Sequence, residues 1–173
     1  MDAGAEADFE RFFRERRDAV RRTAYLLCGD WHRADDHAQA AFVALHRNWN
    51  KIRDHGALEA WMRRTLVRAV VDESRRPWRR ERSVERIDAG ALGGSDAATE
   101  SVATRQTLVE GLRAVPPRQR AVLVLRFLEG LDVAGVAIAL GCSEGTVKSQ
   151  TAHGLTALRA ALGDTLDDLR AAG

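Results

Sequence analysis

Large apolar residues recur along the chain at three- and four-residue steps, the period of a helix with one buried side. Phe9, Phe12, Phe13, Val20, Ala24 and Leu27 share one face of a first helix, and Gly29 is a good carboxyl-terminal stop. A second helix is predicted from Trp31 to Trp49, with Ala38, Ala41, Phe42 and Leu45 inward. A third starts near Leu58, turns Leu58, Trp61, Met62, Leu66 and Ala69 inward, and fades by Pro77, because the residue before proline avoids helical angles. No segment alternates cleanly enough to be a strand. Between Ser83 and Thr104 large apolar residues become sparse, Gly93-Gly94 sits in the middle, and Glu85, Asp88, Asp96 and Glu100 outweigh Arg86; this reads as a flexible linker. Leu108 and Leu112 resume the helical pattern. Pro116-Pro117 ends one helix and starts another, which carries Val122, Leu123, Leu125 and Phe127 and ends at Gly130. The expected fold is therefore all-α: two small helical domains, residues 8–82 and 105–165, joined by a linker over 83–104.

The stretch from Asp132 to Leu162 has the grammar of a helix-turn-helix. Asp132 is a plausible N-cap for a short helix bearing Val133, Val136, Ala137 and Leu140. Gly141 can take the left-handed turn, Ser143 caps the next helix, Glu144 complements its dipole, and Val147 anchors it in the core. In this motif the start of the second helix enters the major groove. Ser143, Glu144, Thr146, Lys148, Ser149, Gln150, Thr151 and His153 are the polar residues expected on its exposed side, with donors and acceptors for base edges and phosphates.

Composition changes this picture in one place. The chain has 173 residues and a formal net charge of only +2, so the total does not point to nucleic acid. The distribution does: between Trp61 and Arg82 eight arginines stand against three acids, a local excess that attracts phosphates. Arg63, Arg64, Arg68, Arg75, Arg76 and Arg79 are candidates for neutralising them. Cys28 and Cys142 lack metal or redox spacing and read as reduced thiols in a cytoplasmic protein. Met1–Glu10 is acidic and has no leader-like apolar core, and no stretch is apolar enough to span a bilayer. His32, Asp35, Asp36 and His37 cannot converge more than two or three ligands, so no metal is expected. No phosphate loop, nucleophile elbow or paired catalytic carboxylates are found, so neither catalysis nor a cofactor is expected.

PPRQRAVLVLRFLEGLDVAGVAIALGCSEGTVKSQTAHGLTALRAAL, Pro116 to Leu162, resembles region four of the extracytoplasmic-function sigma factors, and GCSEGTVKSQ is its most specific phrase. YLLCGDWHRADDHAQAAFVALHRNW (Tyr25 to Trp49) and AWMRRTLVRAVVDESRRPWRRER (Ala60 to Arg82) resemble region two of the same family. The resemblance covers about Asp8 to Leu162 and is strongest to the short actinobacterial SigE-like subgroup of the sigma-70 family. It implies a non-catalytic subunit that brings RNA polymerase core to promoters. The second helix would dock on a coiled coil of the polymerase's largest subunit, through Asp35, Asp36, Gln39 and Arg47. The third helix and its basic tail would take the minus-ten element and its opened strand, with Trp78 stacking on an unpaired base. Region four would read the minus-thirty-five element. The resemblance further implies an anti-sigma factor as a partner that family members often have. The chain departs from the family pattern at His37 (usually Leu), Ala40 (usually Glu), Arg68 (often Asn) and His153 (often Arg). A free-standing helix-turn-helix regulator, binding duplex DNA without core polymerase, is the rival reading; it would act as a dimer on symmetric half-sites.

Overall fold

The computed structural model describes residues 1–76 and 99–163, apart from the side chains of 99–101. Most of the predicted linker, together with Trp78 and Arg79, lies outside the described residues. Among the described residues seven α-helices follow one another: α1 Ala3–Cys28, α2 Trp31–Asn48, α3 Leu58–Ser74, α4 Thr99–Ala114, α5 Pro117–Leu123, α6 Val133–Leu140 and α7 Glu144–Leu162. No strand occurs among the described residues.

The helix ends obey local chemistry. Asp2 caps α1 by accepting the Ala5 N–H at 2.8 Å, and Asp30 caps α2 by accepting that of Arg33 at 2.8 Å. Between them Gly29 takes φ 72°, and its N–H closes on the Tyr25 carbonyl at 2.7 Å. This glycine turn folds α2 back on α1. Trp31 stacks on Tyr25 at 3.9 Å between nearly parallel rings, and the Arg21 guanidinium lies over Trp31 at 4.2 Å. Arg21 also donates to Asp35; that hydrogen bond is the main reason its pKa is raised. Phe9 and Phe42 line a groove between α1 and α2, and Phe13, expected inward, sits half-open on its rim against Phe42 at 4.8 Å.

In α3, Leu58, Met62, Leu66, Val67, Val70 and Val71 are buried. Glu73 ties it to α2, lying 2.5 Å from His37 Nε2 and accepting from Arg33 at 3.2 Å. His37, where the family usually has leucine, is therefore an internal contact of the three-helix half rather than part of its surface.

The second half departs from expectation in one element. The helix that was to run to Gly130 is regular only to Leu123, and Val124–Leu128 form a π turn. Its widened spacing shows in the Glu129 N–H bonded to the Val124 carbonyl at 2.9 Å and the Leu131 N–H bonded to that of Leu125 at 3.0 Å. Gly130, at φ 72°, then ends the turn. The buried apolar residues of both halves, from Ala24 through Val67 to Val124 and Val147, belong to one continuous core. α3 packs against α5 and α6, and α1 against α4 and α5.

Candidate nucleic-acid interface

Each part of the helix-turn-helix is set by a short-range rule. Asp132 accepts the Gly135 N–H at 2.7 Å and starts α6. Gly141 ends it at φ 65°, ψ 43°, the left-handed conformation that any side chain would strain. Ser143 accepts the Thr146 N–H at 3.1 Å and starts α7. Val147 is fully buried and fixes the rotation of α7 about its axis. As a result Ser143, Glu144, Lys148, Ser149 and His153 are exposed, with Thr146 and Gln150 half-buried beside them. Ser143 and Thr146 hydroxyls are also bonded to each other at 2.9 Å, which holds both at the helix start.

Thr151 is a correction. It was expected on the exposed side but is buried, 7% exposed. Its hydroxyl donates to the Val147 carbonyl at 2.7 Å and receives Arg126 at 3.4 Å. Thr151 follows Val147 by four residues, one turn along the same face, so the anchor that buries Val147 buries it too.

The arginines of α3 do not form one open stripe. Arg64, Arg68, Arg75 and Arg76 are exposed. Arg63 is covered: its side chain is 22% exposed and its Nε lies 3.6 Å from Glu129, an ion pair too long to be a hydrogen bond. Arg68 reaches the turn of the helix-turn-helix, where a Cβ on Gly141 would sit 3.2 Å from its guanidinium nitrogen. Arg68, Val71 and Arg75 of α3 face Arg118, Leu140 and Gly141 across a polar cleft of about 420 Å³.

The four candidate polymerase contacts on α2, Asp35, Asp36, Gln39 and Arg47, are all exposed. Asp35 and Gln39 stand with Val43 and His46 on the edge of the α1–α2 groove, an open apolar trough of about 660 Å³. Sequence reasoning did not single out this trough, although Phe9, Phe13, Phe42 and Val43 mark its walls.

Arg120 was missed as well. It lies on the apolar face of α5, one turn before Leu123 and Val124, so an arginine at a core position was the available signal. The residue is 8% exposed, and its guanidinium donates to the carbonyls of Leu27 at 2.9 Å, Arg113 at 3.1 Å and Val115 at 3.0 Å. These are end-of-helix carbonyls of α1 and α4, which lack partners in their own helices and carry the negative end of the helix dipole. Burial pushes the Arg120 pKa down to about 10. Burial likewise raises the neighbouring Cys28 thiol to about 11.

Comparison with known proteins agrees with this geometry. Residues 12–80 match the family model for sigma-70 region 2 and residues 105–158 that for sigma-70, region 4. The RNA polymerase sigma-E factor of Streptomyces coelicolor is 36% identical over 90% of this chain and 86% of its own. The ECF RNA polymerase sigma factor SigM of Mycobacterium tuberculosis is 30% identical over 93% of this chain and 80% of its own. Among solved structures, the sigma factor RpoE of Bartonella quintana, in complex with the anti-sigma factor NepR, superposes with a TM-score of 0.68 at 21% identity, over 90% of this chain and 96% of that one. The three-helix unit, the helix-turn-helix and their order along the chain thus place this protein in the sigma-70 family, among its extracytoplasmic-function sigma factors.

Proposed function

We propose that this chain loads onto RNA polymerase core and directs it to promoters, as a non-catalytic initiation subunit acting in the cytoplasm. The observation that carries this is the pairing, in one chain, of a helix-turn-helix whose polar face is presented to solvent with an upstream three-helix unit whose third helix exposes Arg64 and Arg68 and leads into an arginine-rich stretch. A duplex-only regulator needs the first and has no use for the second. No helix among the described residues is long and apolar enough to cross a membrane.

Each surface has a role that its chemistry fits. Ser143, Glu144, Thr146, Lys148, Ser149, Gln150 and His153 of α7 read the minus-thirty-five element; Thr151 supports them from beneath. Arg64, Arg68, Arg75 and Arg76, with Trp78 and Arg79 beyond α3, hold the minus-ten element and its opened strand; Arg63 joins them once it leaves Glu129. Asp35, Asp36, Gln39 and Arg47, flanking the α1–α2 trough, meet the polymerase coiled coil. The trough supplies apolar area and its rim supplies charge, the usual division in a protein interface. An anti-sigma factor is the expected negative regulator.

The test is transcription in vitro from the gene's own upstream region, with purified core polymerase and with or without this protein. Specific transcripts only when both are present support the reading. Tight, sequence-specific duplex binding without core, and no transcript with it, would replace it by the free-standing regulator.

A further inference from the structure

Three arginines meet at one cleft without a carboxylate to answer them. Arg68, Val71, Asp72 and Arg75 recur at three- and four-residue steps and so share a side of the third helix and its end. Arg118 of α5, with Leu140 and Gly141 at the end of α6, forms the opposite wall of the cleft, whose volume is about 420 Å³. Gly141 has no side chain, so the Arg68 guanidinium comes close over the turn; a Cβ there would lie 3.2 Å from it. Arg68 and Arg75 are exposed and Arg118 is half-buried. Other arginines of this chain meet acids, as Arg33 does Glu73 and Arg63 does Glu129. Among the described residues Arg68, Arg75 and Arg118 form no ion pair, although Asp72 lines the same cleft.

We propose that this cleft binds a diphosphate group, either free pyrophosphate or the phosphate tail of a nucleoside di- or triphosphate. Charge selects the class of ligand. Three guanidiniums against one carboxylate leave an excess of positive charge, which repels cations and draws in an anion of more than one charge. A guanidinium is a planar fork that matches two phosphate oxygens at once. Spacing selects the length. Arg68 and Arg75 are two helical turns apart, about 10 Å along the axis, and Arg118 stands across from them. That separation favours two linked phosphates over one. Size and polarity agree. The volume falls at the lower end of the range for small-molecule sites, too small to seat a duplex. In the proposed function Arg68 and Arg75 also hold the opened strand, so a bound diphosphate competes with it; this consequence rests on that reading, and the site does not.

The experiment is calorimetric titration of the full-length protein, free of polymerase and DNA, at physiological ionic strength. The probes are inorganic pyrophosphate, adenosine triphosphate and orthophosphate. Pyrophosphate should bind with a dissociation constant on the order of 10–100 µM, and orthophosphate about 10-fold more weakly. Arg118→Ala should weaken pyrophosphate about 10-fold or more. Arg22→Ala removes an exposed arginine of α1 away from the cleft and should change it less than about 2-fold. Equal affinity for pyrophosphate and the triphosphate means that the phosphates alone are recognised; a much tighter triphosphate means that the nucleoside is held as well. Either supports the site. No binding of any probe up to roughly 5 mM overturns it. So does an equal loss in Arg118→Ala and Arg22→Ala, which marks attraction to net charge alone. If Arg118→Ala loses helix by circular dichroism, Arg75→Ala at an exposed position decides: a 10-fold loss supports the site and unchanged binding rejects it. With core polymerase added, pyrophosphate should weaken promoter-complex formation by the wild type and spare Arg118→Ala. Equal weakening of both would overturn the competition, whereas failure to form any promoter complex would count against the sigma-factor reading and leave the titration result standing.

Discussion

α3 and α7 are both long helices that the sequence marks for DNA, and they meet different fates. α7 keeps its polar side in solvent, because Gly141, Ser143 and Val147, all within seven residues, fix where it begins and how it is rotated. α3 carries three arginines, balanced by Glu59, Asp72 and Glu73, but has no such local determinant of exposure. It lies with α1 and α2 on one side and α5 and α6 on the other, and Arg63 ends against Glu129. The difference shows that a capped motif determines its own outward face, whereas a charged helix without one is exposed only where its neighbours leave it so.

The sharpest way to break that comparison is through the shared core. Leu66→Ala in α3 and Leu125→Ala behind the helix-turn-helix both empty fully buried sites, at about 2–5 kcal/mol each. If the halves melt as one unit, each substitution lowers a single transition seen by calorimetry. Two transitions, with only one moved by each change, would show that the halves fold independently. Arg120→Met should cost about 3 kcal/mol, since it strands three buried carbonyls. It should also broaden the melt by loosening α1 from α5, and a loss below about 1 kcal/mol would deny Arg120 its capping role.

Cys28 probes the same junction by pH. Its folded pKa is raised from 9.0 to about 11 by burial. The folded state therefore holds its proton more tightly, and the stability this confers is present below pH 9 and lost as pH rises through 11. The wild type should weaken over that window by about 2 kcal/mol more than Cys28→Ala does, in urea melts at each pH. Ser143→Ala should cost about 1 kcal/mol by removing the α7 cap. The smallest effect on stability belongs to Lys148→Ala on the exposed face, within about 0.5 kcal/mol. That change should still reduce the salt slope of promoter-complex formation by about 1, and an unchanged slope would remove Lys148 from the phosphate contacts.

The legible features share a short range. The Gly29 stop, the Asp132 and Ser143 caps, the left-handed Gly141 and the Val147 anchor each depend on residues within a turn or two, and each stands as read. Thr151 was misplaced because a polar side chain was read by type instead of by its four-residue spacing from Val147. The π turn at Val124–Leu128 escaped because its spacing differs from a helix by one residue per turn, too little to disturb a short apolar run.

By itself, then, the sequence determined the helices, their caps, the order of the two units and the chemistry of the α7 face, because these follow from neighbours in the chain. Tertiary structure alone decided which arginines of α3 remain open, that His37 turns inward to Glu73, and that Arg120 joins the ends of α1 and α4. Each of these depends on partners tens of residues away, whose approach is set by packing of the whole core and leaves no periodic mark along the chain.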